Sequence, residues 1–213
     1  MVSAVLDNFM FMFFLPKTSY KPEIRKSMLN SIRGFVNNLE CIKDAKLTIK
    51  SRAIEVDHSD YWLSFDSESE FGIIIASEGE KNVERVNSIL NEVFARLKET
   101  NWIESSRIDF VAISEFKFPE KCDLFSRILN REALKKLSCE DSTIEPTRIQ
   151  IVCAKKDKKE TVAFSLLKRK KERIAEIKLY RWRLDNFPPN ITRETIQTLK
   201  NKSTDVSNLA EEN

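Results

Sequence analysis

Alternation dominates the first stretch of the chain. Between Val5 and Leu15, Phe9, Phe11, Phe13 and Leu15 fall on one alternating set and Asn8, Met10, Met12 and Phe14 on the other. Both sets are largely apolar, which predicts a strand that is central or part of an interface. Pro16 ends it, because proline has no N–H to donate to a ladder. The period then changes. In Lys21–Leu39, Ile24, Met28, Leu29, Ile32, Phe35, Val36 and Leu39 recur at i, i+3/i+4, and Pro22 stands at the start, so an amphipathic helix is expected. Four short strands follow: Lys46–Lys50, a segment around Ile54 and Val56, Tyr61–Asp66 and Phe71–Ala76, with turns near Ser51–Ala53 and at Asp57–Asp60. Glu80–Thr100 has the clearest helical stripe, formed by Val83, Val86, Ile89, Leu90, Val93, Phe94 and Leu97.

After residue 101 the order starts again. Arg107–Phe118 reads as a strand ended by Pro119, as Pro16 ends the first. Cys122–Leu137 reads as a helix, and Arg148–Cys153, Thr161–Leu167 and Arg173–Leu184 as strands. Pro188 and Pro189 break the chain, Thr192 is expected to cap a last helix through about Leu199, and the polar tail 201–213 is expected to fray. The predicted class is α+β, a largely antiparallel sheet with helices on one face. It is organised as two pseudo-repeats: β-α-β-β-β-β-α over 1–101 and β-α-β-β-β-α over 102–200. This order of elements resembles that of the TATA-binding protein, two copies of a strand, a helix, a run of strands and a helix. The resemblance lies in topology alone. It implies a shared sheet with an open face, and it assigns no residue a role, since that family's paired intercalating phenylalanines have no counterparts here.

Composition narrows the chemistry. Three glycines in 213 residues, and neither GxGxxG nor GxxxxGK[ST], leave no glycine-rich phosphate loop. The four cysteines, 41, 122, 139 and 153, form no CxxC pair, which argues against zinc ribbons and redox motifs and predicts free thiols in a cytoplasmic protein. The apolar N-terminal run contains Asp7 and Asn8 and is too short to span a bilayer, so no membrane partner is expected. His58 is the single histidine. A Ser–His–Asp relay needs members that converge from separate elements, and Asp57-His58-Ser59-Asp60 are neighbours in one turn. Metal binding by Asp57, His58 and Asp60, with Asp66 or Glu68 nearby, is the other chemistry the turn offers. No catalytic residue and no cofactor is predicted.

Charge is uneven. From residue 155 to 183 there are twelve Lys or Arg against Asp157, Glu160, Glu172 and Glu176, a surplus of eight in a chain of formal charge +3, so the remainder carries −5. That contrast points to a polyanion partner, DNA or RNA. The candidate contacts are Lys155, Lys156, Lys158 and Lys159 in one turn, Lys168, Arg169, Lys170 and Lys171 in the next, and Arg148, Lys178, Tyr180, Trp182 and Trp62 on the open sheet face. The alternative is a protein-interaction or homodimerisation module of the same fold. In that reading Met10, Met12 and Phe14, apolar on the face away from the predicted core, form the oligomer interface.

Overall fold

A computed structural model describes residues 5–15, 22–66, 71–100, 108–117, 148–154, 160–169, 172–184 and 187–209. The predicted helix at 122–137, Cys122, Cys139 and the lysines of turns 155–159 and 170–171 lie outside the described residues. Among the described residues the fold is α+β, with nine strands in one wholly antiparallel sheet and three α-helices. The strands are β1 (Val5–Leu15), β2 (Lys46–Ile49), β3 (Ala53–Asp57), β4 (Tyr61–Asp66), β5 (Phe71–Glu78), β6 (Ile108–Lys117), β7 (Arg148–Ala154), β8 (Glu160–Arg169) and β9 (Glu172–Leu184). The helices are α1 (Pro22–Asn37), α2 (Val83–Leu97) and α3 (Ile191–Leu209). In space the strands run β2-β3-β4-β5-β1-β6-β9-β8-β7. The first strand of the chain is therefore the middle of the sheet, which its two apolar faces anticipated.

Phe9, Phe11, Phe13 and Leu15 of β1 are almost fully buried. Direct antiparallel partners share a face, and the register aligns Phe13 with Ile73 of β5 and Phe110 of β6, and Ile73 with Phe65 of β4. These side chains meet the helices. Phe13 packs edge-on against Phe94 of α2 at 5.0 Å between ring centroids, and Phe35 of α1 meets Phe65 at 5.8 Å. Phe187, just before α3, lies 5.7 Å from Phe13. All three helices thus lie on the Phe13 face, and each phenylalanine buried there contributes about 1.5–3 kcal/mol.

Helix α2 exists because its stripe has that core to cover: Val83, Val86, Ile89, Leu90, Val93, Phe94 and Leu97 are all buried. It starts with its stripe at Val83, three residues after the expected Glu80, since Glu80–Asn82 form a 3-10 turn. Gly79 before it has φ of 69°, a left-handed conformation that favours glycine. The Gly79 amide donates to the Asp7 carbonyl at 2.7 Å, tying the end of β5 to the start of β1.

Two expectations about the C-terminus fail. Thr192 is not a cap: α3 begins at Ile191, and Thr192 is fully buried inside the first turn. The last helix does not end near Leu199, because it continues to Leu209. The helix is held along its length. Arg193 pairs with Glu84 of α2 at 2.6 Å and Lys200 with Glu80 at 2.7 Å, while Ser203 is buried.

Candidate binding face

With the helices on the Phe13 face, the other side of the sheet is open among the described residues, and the register says what it carries. One row across the strands runs Trp62, Ala76, Met10, Ile113 and the backbone position of Lys178. The next runs Ser64, Ile74, Met12, Val111 and the position of Tyr180. A third runs Asp66, Gly72, Phe14 and Asp109. Met10, Met12, Phe14, Ile74, Val111 and Ile113 are all half-buried and contiguous, so the centre of the face is apolar.

The surround is acidic. Glu78 and Glu115 flank Asn8 at one end, Asp66 and Asp109 lie beside Phe14 at the other, and Glu55 and Asp57 stand on β3. The basic side chains around this part of the face are Lys46, Lys50 and Lys117; Lys50 is paired with Glu55 at 2.5 Å and Lys117 with Asp7 at 3.0 Å. Asn8 Nδ2 donates to Glu115 Oε2 at 3.3 Å.

The face dips where Ala76, a single methyl, sits between Trp62 and Met10. A concavity of about 470 Å³ opens there, walled by Trp62, Met10 and Ile113, with Asn8, Glu78 and Glu115 at one rim and the His58–Asp60 turn at another. No lysine or arginine is among the described residues lining it.

The His58–Asp60 turn is built rather than loose. The Asp60 carbonyl accepts from the Ser77 hydroxyl and, at 3.1 Å, from Asn82 Nδ2, which also donates to the Glu78 carbonyl at 3.0 Å. The Asp60 amide donates to His58 Nδ1 at 3.1 Å, and Nε2 lies 3.2 Å from Arg85 Nη2 and 3.3 Å from Asp44 Oδ2. Arg85 of α2 joins the two carboxylates, Nη1 at 3.1 Å from Asp60 and Nη2 at 3.3 Å from Asp44. The imidazole lies flat on Tyr61, 4.9 Å between ring centres, and the Arg85 guanidinium sits 5.5 Å from the same ring.

Charge follows from these contacts. A hydrogen bond from its own backbone N–H, then His58 and Arg85, hold Asp44 below the usual carboxylate range. Burial pushes the Tyr61 phenol up to about 12. Burial, then the Glu92 carboxylate that takes the amides of Glu40 and Cys41, pushes the Cys41 thiol up to about 12. A thiol so shifted is a poor nucleophile. Ser59 Oγ lies 3.4 Å from His58 Nδ1, which also accepts the Asp60 amide. Among the described residues no group of three His, Cys, Asp or Glu is placed to hold a metal. The His58 cluster is a brace that sets the edge of the concavity.

The predicted site residues separate. Met10, Met12, Phe14 and Trp62 lie together on the open face. Register puts Arg148 opposite Leu167 on β8, and Lys178 and Tyr180 in the rows of Met10 and Met12. Lys168 pairs with Arg173 and Arg169 with Glu172 where the β8–β9 hairpin closes. Trp182 falls in the register shift between Phe110↔Arg181 and Ile108↔Leu184, so pairing assigns it no row. Lys155, Lys156, Lys158, Lys159, Lys170 and Lys171 lie outside the described residues. Ile74, Val111, Ile113 and Glu115 escaped sequence reasoning as site residues. Their signal was the alternation on β5 and β6, usable only once both strands are known to flank β1.

No helix among the described residues is long and apolar enough to cross a membrane. No family model and no curated protein matches the chain, so the reading of this face rests on its own geometry.

Proposed function

We propose that the chain is a non-catalytic binding module whose working surface is the open face of the sheet, and that the face takes a protein partner presenting apolar side chains ringed by basic ones. The observation that carries this is the contiguous apolar centre Met10, Met12, Phe14, Ile74, Val111 and Ile113 inside a rim of carboxylates. Apolar area supplies affinity, and the acidic rim selects the partner's charge and orientation. Two such faces laid together would set carboxylate against carboxylate, so a second copy fits this surface less well than a basic partner. Selection from a displayed peptide library tests the reading. Sequences alternating apolar with Lys or Arg should be enriched, and Met12→Lys should abolish the enrichment. No enrichment, or enrichment that survives Met12→Lys, overturns it. A dimer in sedimentation that Met12→Lys breaks would make a second copy the partner.

The architecture supports an internal duplication within this reading. From the middle of the sheet outward, β1, β5, β4 and β3 on one side match β6, β9, β8 and β7 on the other, and β2 is an extra edge strand. The halves 1–101 and 102–200 then correspond through a pseudo-twofold axis between β1 and β6, with α3 answering α2, in the element order of the TATA-binding protein. A measured structure in which the halves do not superpose, β1 on β6 and α2 on α3, removes the duplication.

A second reading, nucleic-acid or other polyanion binding, is favoured by the β8–β9 pairing of Lys168 with Arg173 and Arg169 with Glu172, between which Lys170 and Lys171 follow in sequence. Phosphate suits that end of the sheet better than the acidic face around Trp62. A cytoplasmic setting belongs to both readings and rests on scattered cysteines, of which Cys41 is a free thiol.

A further inference from the structure

We infer that the concavity over Ala76 is a receptor for one basic side chain of the partner polypeptide, a lysine or arginine. This rests on the reading of the open face as a polypeptide-binding surface and adds what the face recognises. The register builds the shape: on neighbouring strands, Ala76 is flanked by Trp62 and Met10, with Ile113 beyond Met10. A side chain entering there meets an indole, a thioether and a branched aliphatic, which suit an alkyl stem. Its head reaches a rim that carries Glu78 and Glu115.

Three features select a cation. The lining holds two glutamates and Asp60 with no lysine or arginine among its described residues. Trp62, the best of the aromatic partners for a cation, forms one wall. Asp60 is held by Arg85 at 3.1 Å and Glu115 accepts from Asn8 Nδ2 at 3.3 Å, so Glu78, exposed at the rim, leads the recognition. At about 470 Å³ the space lies within the range of about 300–1,000 Å³ typical of sites that enclose a small ligand.

The test uses the full chain with its methionine methyl groups labelled, since Met10 is the methionine at the concavity. N-acetyl-lysine N-methylamide is titrated against N-acetyl-norleucine N-methylamide, which keeps the stem and lacks the charge. The Met10 signal should move and saturate with the lysine probe at millimolar concentration, and the norleucine probe should bind about tenfold more weakly. Glu78→Gln with Glu115→Gln should erase that preference at unchanged thermal stability, and Ala76→Leu should block both probes by filling the dip. Equal binding of the two probes, or a Met10 signal that neither moves, overturns the inference. Because the probes need no partner, their success with a failed peptide selection rejects only the wider reading of the face. Failed probes with a successful selection reject only this pocket.

Discussion

Phe94 of α2 and Phe187, at the entry to α3, lie face to face, their ring centroids 3.9 Å apart and their planes 6° from parallel. Both also contact Phe13 of the central strand, at 5.0 and 5.7 Å. The C-terminal helix is therefore pinned to the core through one aromatic triplet before its first turn begins. Phe187→Ala should destabilise the chain by about 3–5 kcal/mol, the usual range for emptying a buried phenylalanine site. Denaturant unfolding would measure the loss. Amide exchange should show α3 opening before α2.

Helices α2 and α3 also bury polar groups. The Oγ1 atoms of Thr192 and Thr195 and the Oδ1 of Asn87 are buried with no hydrogen-bond partner among the described residues. A buried hydroxyl without a partner costs about 1–3 kcal/mol. Thr195→Val keeps the shape and removes that cost, so its melting temperature should equal or exceed the parent's, whereas Thr195→Ala should lower it.

Asn82 and Arg85 both hold the His58–Asp60 turn, by different means. Asn82 is buried and bridges two carbonyls, whereas Arg85 is partly exposed and pairs with half-exposed carboxylates. Asn82→Ala leaves those carbonyls short of a donor and should cost about 1–3 kcal/mol. Arg85→Ala should cost about 1 kcal/mol or less, because water screens the pair. Equal losses in chemical denaturation would refute this ranking.

Alkaline stability should report on Cys41 and Tyr61. Both are pushed up to about 12, from ordinary values of 9.0 and 10.0, chiefly by burial. Between the ordinary and the folded values the folded chain keeps a proton that the unfolded chain releases, so stability falls as pH rises from 9.0 toward about 12. Cys41→Ala should delay the onset until tyrosine begins to ionise. On the acid side the signs reverse. Asp44, and Glu84 through its hydrogen bond with Arg193, are lowered, so their stabilisation holds above the ordinary carboxylate range and disappears as pH falls through their folded values. Unfolding curves collected against pH check both limbs.

The basic hairpin has its own test. If it neutralises four phosphates, affinity for nucleic acid should fall with a log–log salt slope of about −3 to −4. Changing Lys168, Arg169, Lys170 and Lys171 to Glu should remove the binding and leave the fold. Absence of any retention at low salt would discard the polyanion reading.

Local periodicity determined the elements of this protein. Tyr61–Asp66 forms a strand over the predicted residues, and the stripe Val83–Leu97 is helical, because alternation and i, i+3/i+4 spacing depend only on chain neighbours. Even the faces of β1 were legible, since the period of two fixes which side chains travel with Phe13. The ends were less so. Thr192 has the chemistry of a cap, but the helix starts one residue earlier and the side chain is buried instead. What periodicity cannot express is which strands become neighbours. Met10 joins Trp62, Ala76 and Ile113 only because the sheet inserts β1 between β5 and β6. Likewise, Asp44 and Arg85 meet His58 only when α2 packs over the first strands. The binding face and its concavity are sums over distant pairings, fixed by burial of the Phe13 core, so the tertiary structure alone decided them.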